Sequence, residues 1–538
     1  MVRIGLCLLA FAFGTASANT YTVTSLNDSG SGTLREAVGL ANGDAAADTI
    51  NFAVTGTITL TSGQILIYTP MTIQGPGAGL LTIDGNANNR IFLIYENVPD
   101  VCAAPGSDFA VTISGLTLTN AKRQSDTTVG GAIYAEKTLT LSNVAVLNSQ
   151  AKSGGGLAWV TRYAGQTLTI SDSRFSGNVA LPVVAPSGGN HVGGAVDAFE
   201  GCSTTGAKVI DIERSVFDDN HVQPQTLTDA QGGGIRVGGN GSYTVIVKDT
   251  RITGNSIDPP ASPPTGYNYR GGGLRITNVF QTVITGSEIS ANSAARHGGL
   301  SVVNTQASLQ TAETATLVQI VNSTISGNAA DGSGTDGRSG GVAAVGNLSL
   351  QILNSTITGN TAAIEADGLR LTTDVTTPAT SSNALPPTLY MRSTIVSGNG
   401  SDDLSLDTTV VPTLDADVSN SLLGVVGTGI TLTGIGNLSS TSPGLAALAF
   451  NGGLTRTHAL KTGSPAIDTG SNVINLIYDQ RGAGFPRTAG AGTDIGAYER
   501  AASAKISAAP VPALSERALG LLALFVLFAG FHSLRRRR

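Results

Sequence analysis

Charge is scarce in this chain: Asp, Glu, Lys and Arg together make up 13 % of its 538 residues, against about 25 % in ordinary globular domains. Aromatic residues are scarce as well, at 5 % with a single Trp. So little charge excludes a coiled coil or a charged disordered tail. The lack of a basic stripe excludes a nucleic-acid binder. A helix-rich enzyme would need Ala, Leu, Glu and Lys where this chain has Gly, Thr and Asn. Glycine is plentiful, at 69 residues, and marks frequent turns. Length alone suggests roughly three or four domains, but one repeat array also reaches this size.

The formal net charge of −6 hides an asymmetry. Four of the 31 basic residues are Arg535, Arg536, Arg537 and Arg538; without them 27 basic residues face 37 acidic ones. The body is mildly acidic and attracts no anionic polymer through a general field.

Both ends read as targeting segments. A basic start at Arg3, an apolar run from Ile4 to Gly14 and the Ala16-Ser17-Ala18 site form a signal peptide, residues 1–18, cut so that the mature chain begins at Asn19. At the other end a small-residue linker (501–510) precedes a tripartite tail, 511–538. Its apolar stretch Ala518–Leu534 spans about 25 Å as a helix, barely a bilayer. The four terminal arginines would remain cytoplasmic. By itself this is a tail anchor or a sorting signal removed after export, and the short span favours the second. Val511, Pro512, Leu514, Ser515, Glu516 and the Arg535–Arg538 cluster make the tail resemble the IPTL-CTERM sorting signals of Gram-negative bacteria; Ala513 and Arg517 stand where that family usually has Thr and Trp. The resemblance implies a membrane-embedded sorting protease of the exosortase type as partner. It also implies transient inner-membrane anchoring through 518–534, then residence at the cell surface, in the outer membrane or outside the cell.

Between the ends lies a repeat. Asn178, Asn220, Asn255, Asn292, Asn328, Asn360 and Asn399 close similar corners at spacings of 42, 35, 37, 36, 32 and 39 residues. Three positions before each stands an apolar residue, from Phe175 to Val396; five before, a Ser or Thr, from Ser173 to Thr394; eight before, another apolar residue, from Ile170 to Met391. Constant cores with variable loops are the mark of a solenoid. Leu348, Leu350 and Ile352 alternate as a strand, Asn354-Ser355 make a corner, Ile357 sits on a short second strand, and Gly359-Asn360 turn again. A Gly-Gly-x-apolar signature, such as Gly193-Gly194-Ala195-Val196 and Gly232-Gly233-Gly234-Ile235, opens a third strand. The expected fold is all-β: a right-handed parallel β-helix with three short strands per rung, an N-terminal cap and a transmembrane-like C-terminal tail.

Gly130-Gly131-Ala132-Ile133 and Phe175-Ser176-Gly177-Asn178, with their relatives across roughly residues 110 to 400, resemble the G-G-A-[ILV] and F-x-x-N repeats of chlamydial polymorphic outer-membrane proteins. That resemblance implies adhesin-like surface display. Asn120 and Asn148 keep the pattern one residue short, as atypical end repeats do.

Residues 19–100 should hold the N-terminal cap and first rungs, with a capping box at Thr33-Leu34-Arg35-Glu36 opening a helix through Leu40. Residues 101–440 carry the β-helix repeats. In 441–500, Gly463-Ser464-Pro465-Ala466-Ile467-Asp468, Asp479-Gln480-Arg481-Gly482 and Asp494-Ile495-Gly496-Ala497-Tyr498-Glu499 resemble the choice-of-anchor Q domain, which ends repeat-rich surface proteins ahead of sorting signals.

No set of residues reads as a catalytic, cofactor-binding or metal site. Asp468, Asp479, Arg481, Asp494 and Glu499 fit an Arg–carboxylate network holding a C-terminal cap. Asp218 and Asp219, adjacent in a corner, should point apart. His191 and His221 fall in variable loops. Asp402, Asp403 and Asp407 offer at most a loose calcium site. With Cys7 removed alongside the signal peptide, Cys102 and Cys202 project from one flank and are the candidate disulfide of an exported protein. The expected function is binding without catalysis, the lateral faces offering Ser, Thr and Asn to a glycan or matrix ligand. The alternative is a polysaccharide lyase or glycoside hydrolase. That alternative requires carboxylates clustered with Lys or Arg on one sheet, and the repeats show few basic residues.

Overall fold

The computed structural model describes residues 17–96, 102, 106–122, 129–181, 191–202, 206–224, 229–258, 269–305, 315–332, 338–365, 367–373, 385–408 and 411–501. Ala16 and the whole of 502–538, and with them the signal-cleavage core and the sorting tail, lie outside these residues. Among the described residues no helix is long and apolar enough to cross a membrane.

The chain winds as a parallel β-helix. Sheet I runs over 14 strands from Thr20–Val23 to Ile430–Leu432, sheet II over 13 from Gly56–Thr59 to Leu438–Ser439, and sheet III over 11 from Ile65–Ile67 to Leu404–Leu406, counted among the described residues. One turn visits sheet I at Tyr243–Lys248, sheet II at Arg251–Thr253 and sheet III at Leu274–Thr277, then returns to sheet I at Gln281–Thr285. The rung is richer than three strands. A seven-stranded ribbon of two-residue strands, from Gln150–Ala151 to Thr361–Ala362, fills the turn between sheets II and III, and His191–Val192, Ala230–Gln231 and Tyr269–Arg270 pair beside it. Segments this short carry no periodicity, so the sequence hides them.

The alternation in each strand builds the core. Phe175, Phe217, Ile252, Ile289, Ile325, Ile357 and Val396 pair in unbroken register through sheet II, and all are buried. The rings of Phe175 and Phe217 stack with centroids 5.0 Å apart. A second buried column runs Ile170, Ile212, Val247, Ile284, Ile320, Ile352, Met391 through sheet I.

The corners follow from backbone constraint. Gly177, Gly254, Gly327, Gly359 and Gly398 take φ between +65° and +73°, the left-handed region that suits glycine. At Gly233 a Cβ would stand 2.3 Å from the Gly272 carbonyl oxygen on the next rung, so only glycine fits where the chain enters sheet III. Asn120 and Asn148 occupy this same left-handed corner, with φ of 53° and 48°. Ala121 and Ser149 therefore take the place that Asn holds in later rungs, which explains the one-residue shift.

Helix Leu34–Ala41 closes the N-terminal end. Thr33 Oγ1 accepts from Glu36 N and Glu36 Oε2 accepts from Gly32 N, and Leu34, Ala37, Val38 and Ala41 pack into the core. The C-terminal block does not cap the opposite end. Residues 445–500, including the hairpin Leu445–Ala449 with Thr457–Leu460, fold back along the outer face of sheet II. Thr455 donates to Gly286 O, Thr324 to Gln480 Oε1, Ala497 N to Thr356 Oγ1 and Gly496 N to Ser393 O, which spans four successive rungs. The outward side chains of Glu288, Ser290, Thr324 and Thr356 are buried there.

Candidate functional site

The repeated Asn residues form one hydrogen-bonded ladder. Each carboxamide donates to the Oδ1 of the next at 2.9 Å, from Asn178 through Asn220, Asn255, Asn292, Asn328 and Asn360 to Asn399. Asn399 donates in turn to Asp403 Oδ1 at 2.8 Å. The repeated hydroxyls form a second ladder, in which the backbone N–H of Ser173, Ser215, Thr250, Ser287, Ser323 and Ser355 donates to the hydroxyl one rung on. These positions are therefore scaffold.

Cys102 and Cys202 form a disulfide with their Cα atoms 5.5 Å apart, bridging a sequence separation of 100 residues, and Arg162 lies against it with Nη1 3.4 Å from Cys202 Sγ. Asn19, the expected first residue of the mature chain, donates its N–H to Asp48 Oδ1. The acidic candidates separate. Asp403 ends the Asn ladder and Asp407 pairs with Arg370. Asp218 pairs with Arg174 at 2.6 Å, while Asp219 turns to His221. His191 and His221 do not lie in loops; they open the two-residue strands His191–Val192 and His221–Val222. His221 sits between Asp219 and Asp258, each 3.3 Å away, and the hydrogen bond to Asp258 raises its pKa.

In the C-terminal block Arg481 pairs with Asp479 at 2.6 Å, between the rings of Phe485 and Tyr498, and buried Arg487 pairs with Glu499 at 2.8 Å. Asp468 accepts from the amides of Ala491 and Gly492, and Asp494 from those of Asp468 and Arg500. These pairs form an Arg–carboxylate network inside the block, while Thr455, Arg456, Gln480 and Ala497 bond it to sheet II. Among the described residues no three His, Cys, Asp or Glu are grouped to hold a metal ion.

The lateral hydroxyls fall in ranks. On the outer face of sheet I, Thr49, Thr72, Thr112, Thr140 and Thr169 stand in register on five successive rungs, each half-buried.

Basic residues gather where the repeat gave no sign of them. The outward position of sheet III reads Leu93, Tyr134, Ala158, Asp197, Arg236, Arg275, Ser301, Ala343, Arg370, Ser405 from rung to rung. Beside it run Gln231, Arg270 and Arg296, then Arg338 opposite Glu365. Every rung from Arg236 to Arg370 thus carries at least one arginine outside sheet III. Arg236 pairs with Asp197 at 3.2 Å; Arg370 pairs with Asp407, and Arg338 lies 3.7 Å from Glu365. In the middle, Arg275 donates to Gln231 and Ser301, and His297 Nδ1 meets Ser301 Oγ at 2.8 Å. Burial, followed by the charges of Arg270, Arg275, Arg370 and Arg296, drives the His297 pKa well below its usual value, so the ring is neutral. Burial lifts Asp197 to about 6 although Arg236 opposes it. The missed signal was the Arg after the apolar residue in Gly-Ile235-Arg236, Gly-Leu274-Arg275 and Gly-Leu369-Arg370. Loops of unequal length conceal that these share one column.

No family model and no curated protein matches the chain. Among solved structures it is similar to the crystal structure of pectate lyase Pel9A, at 14 % identity and a TM-score of 0.38, over 90 % of this chain and 98 % of that one. A likeness at this score carries no argument for this chain, and the β-helix rests on its own strand pairing.

Proposed function

We propose that this chain is an exported β-helix protein, displayed at the cell surface or released, whose lateral faces bind a glycan or matrix partner without chemical change to it. The observation that carries this reading is the fate of the repeated residues. Asn, Ser or Thr and the apolar columns are consumed by ladders and core, so repetition records shape, and the outward positions are left to vary with the ligand. The Cys102–Cys202 bridge supports export, since disulfides persist in oxidising compartments. Residues 511–538 then act as the signal handled by an exosortase-type protease. Mass spectrometry of envelope protein tests the processing: peptides ending before 511 are expected, and an intact Arg538 peptide removes it.

A second reading, a polysaccharide lyase or glycoside hydrolase, is favoured by one observation: the arginines, Asp197 and His297 on and beside sheet III supply the mixture of charge such chemistry requires. Incubation with pectin, alginate and related glycans separates the two. The binding reading expects no new reducing or unsaturated ends, and reproducible release of either replaces it with the enzymatic one.

A further inference from the structure

Asp48 stands where the scaffold has no use for a charge. It opens the strand Asp48–Phe52 at an inward position of sheet I. The same column continues through Met71, Val111, Leu139, Leu168 and Ile210, all apolar and all buried. Asp48 is itself wholly buried. A carboxylate taken out of water needs a counter-charge and hydrogen bonds to both of its oxygens. Oδ1 accepts from Asn19 N at 2.7 Å, but Oδ2 has no hydrogen-bond partner. No basic side chain of the described residues forms an ion pair with it.

We propose that Asp48 is the receptor for the α-ammonium group that cleavage after Ala18 creates on Asn19, so that processing locks the first strand into the fold. This rests on the reading of residues 1–18 as a signal peptide removed on export.

Hydrolysis of the Ala18–Asn19 bond adds one water, leaving a carboxylate on Ala18 and an ammonium on Asn19. The nitrogen thus changes from an amide with one hydrogen to a cation with three. One hydrogen keeps the bond to Oδ1, the other two are free to serve Oδ2, and the charge neutralises the acid. Hydrogen bonds of this charged kind are about twice as strong as neutral ones. The nitrogen is already in place. Asn19 O accepts from Thr49 N at 2.9 Å, and Thr20 to Val23 pair with Thr49 to Phe52 in parallel register. On the departing side, Ser17 and Ala18 are exposed and belong to no strand.

The place of this contact gives it weight. Strand Thr20–Val23 is the edge of sheet I, held by one neighbouring strand, and chain ends fray unless they are tied down. The strand also lies against the capping helix Leu34–Ala41, and its Val23 shares the core with that helix. An ion pair at Asn19 therefore steadies the whole N-terminal cap.

The test uses the full chain recovered after export, with and without Gly-Ser-Gly inserted between Ala18 and Asn19, and Asp48→Asn in each background. N-terminal sequencing comes first: the parent should begin at Asn19 and the extended form at the inserted Gly. In urea, the parent should have an unfolding constant about tenfold smaller than the extended form, in line with one charged hydrogen bond. Asp48→Asn should weaken the parent by about the same factor. In the extended form it should leave stability unchanged or raise it, because there the acid has no counter-charge. The second readout is acylation of the α-amine at neutral pH. A carboxylate partner keeps the ammonium protonated and only the free amine reacts, so the folded parent should react more slowly than folded Asp48→Asn. If Asp48→Asn fails to fold, parent against extended form in urea, and the folded against the urea-unfolded parent in acylation, decide instead. Equal stability of parent and extended forms, an equal loss from Asp48→Asn in both, or an unprotected α-amine overturns the lock and leaves the export reading standing. A parent that begins at any residue other than Asn19 overturns the cleavage reading, and the lock falls with it.

Discussion

Asn255 gives two hydrogen bonds to a single atom of Asn292: its backbone N–H and its side-chain Nδ2 both reach Oδ1, each at 2.9 Å. Asn292 Nδ2 in turn donates to Ile252 O and to Asn328 Oδ1. All these amides are fully buried, so each lost partner leaves a polar group without water.

Asn292→Ala should therefore destabilise the protein by about 3 kcal/mol, the combined penalty of several orphaned buried groups. A lower urea midpoint with an unchanged slope would show it. Asn292→Asp is the sharper variant, because a carboxylate would face the Asn328 oxygen. Its loss of stability should exceed that of the alanine variant at neutral pH and shrink as acid protonates the new carboxyl.

Reduction of the Cys102–Cys202 bridge, or Cys202→Ser, should lower stability by about 2–4 kcal/mol, the usual range for a disulfide closing a long loop. The proposed removal of residues 1–18 takes Cys7 with it, so the processed protein should show no reactive thiol before unfolding and two after reduction. One free thiol in the folded state would contradict the bridge.

Glu288 is buried outside sheet II, where it accepts from Arg456 N and Nε and pairs with its Nη2. Glu288→Ala should cost about 3–5 kcal/mol, because it strands a guanidinium at a tight junction. Limited proteolysis should then cut within 445–500 well before the repeats. Simultaneous digestion of both would show that the block is not held as a separate unit.

Two pH effects of opposite origin are expected. The folded pKa of His221 is raised by Asp258 and Asp219, so its contribution is complete below the ordinary histidine value of about 6.5 and disappears as pH rises through the folded one. The folded pKa of Asp197 is raised from 3.8 to about 6. The folded state thus holds a proton that the unfolded chain has released, and stability falls as pH climbs from 3.8 through about 6. Stability profiles of His221→Gln and Asp197→Asn should each lose one slope, the first near and above neutrality and the second below it. Superimposable profiles would remove both assignments.

Most of the architecture was legible because it repeats. Ile252 and Ile325, Ser215 and Ser287, Asn220 and Asn328 recur at fixed offsets from each corner, and the structure uses each offset for one column or ladder. The opening helix was legible for a different reason, the local chemistry of Thr33 and Glu36. What remained hidden depends on alignment between rungs. Arg236, Arg275 and Arg370 are separated by loops of unequal length, so their shared column emerges only once the strands are paired. The return of the C-terminal block along sheet II left a trace in Glu288-Ile289-Ser290 and Thr324-Ile325-Ser326. Their polar flanks look like ordinary solvent-facing residues until Arg456 and Gln480 arrive against them. The two-residue ribbon strands left none.

The placement of Asp403 ends the file of asparagines, while sheets I and II run on to Ile430–Leu432 and Leu438–Ser439. Every amide in the file of asparagines both receives and gives, which lets another turn be added without changing the rule. A carboxylate only receives. Once Asp403 has taken its bonds from Asn399 it offers no hydrogen to a following turn, so the file has a direction and a terminus.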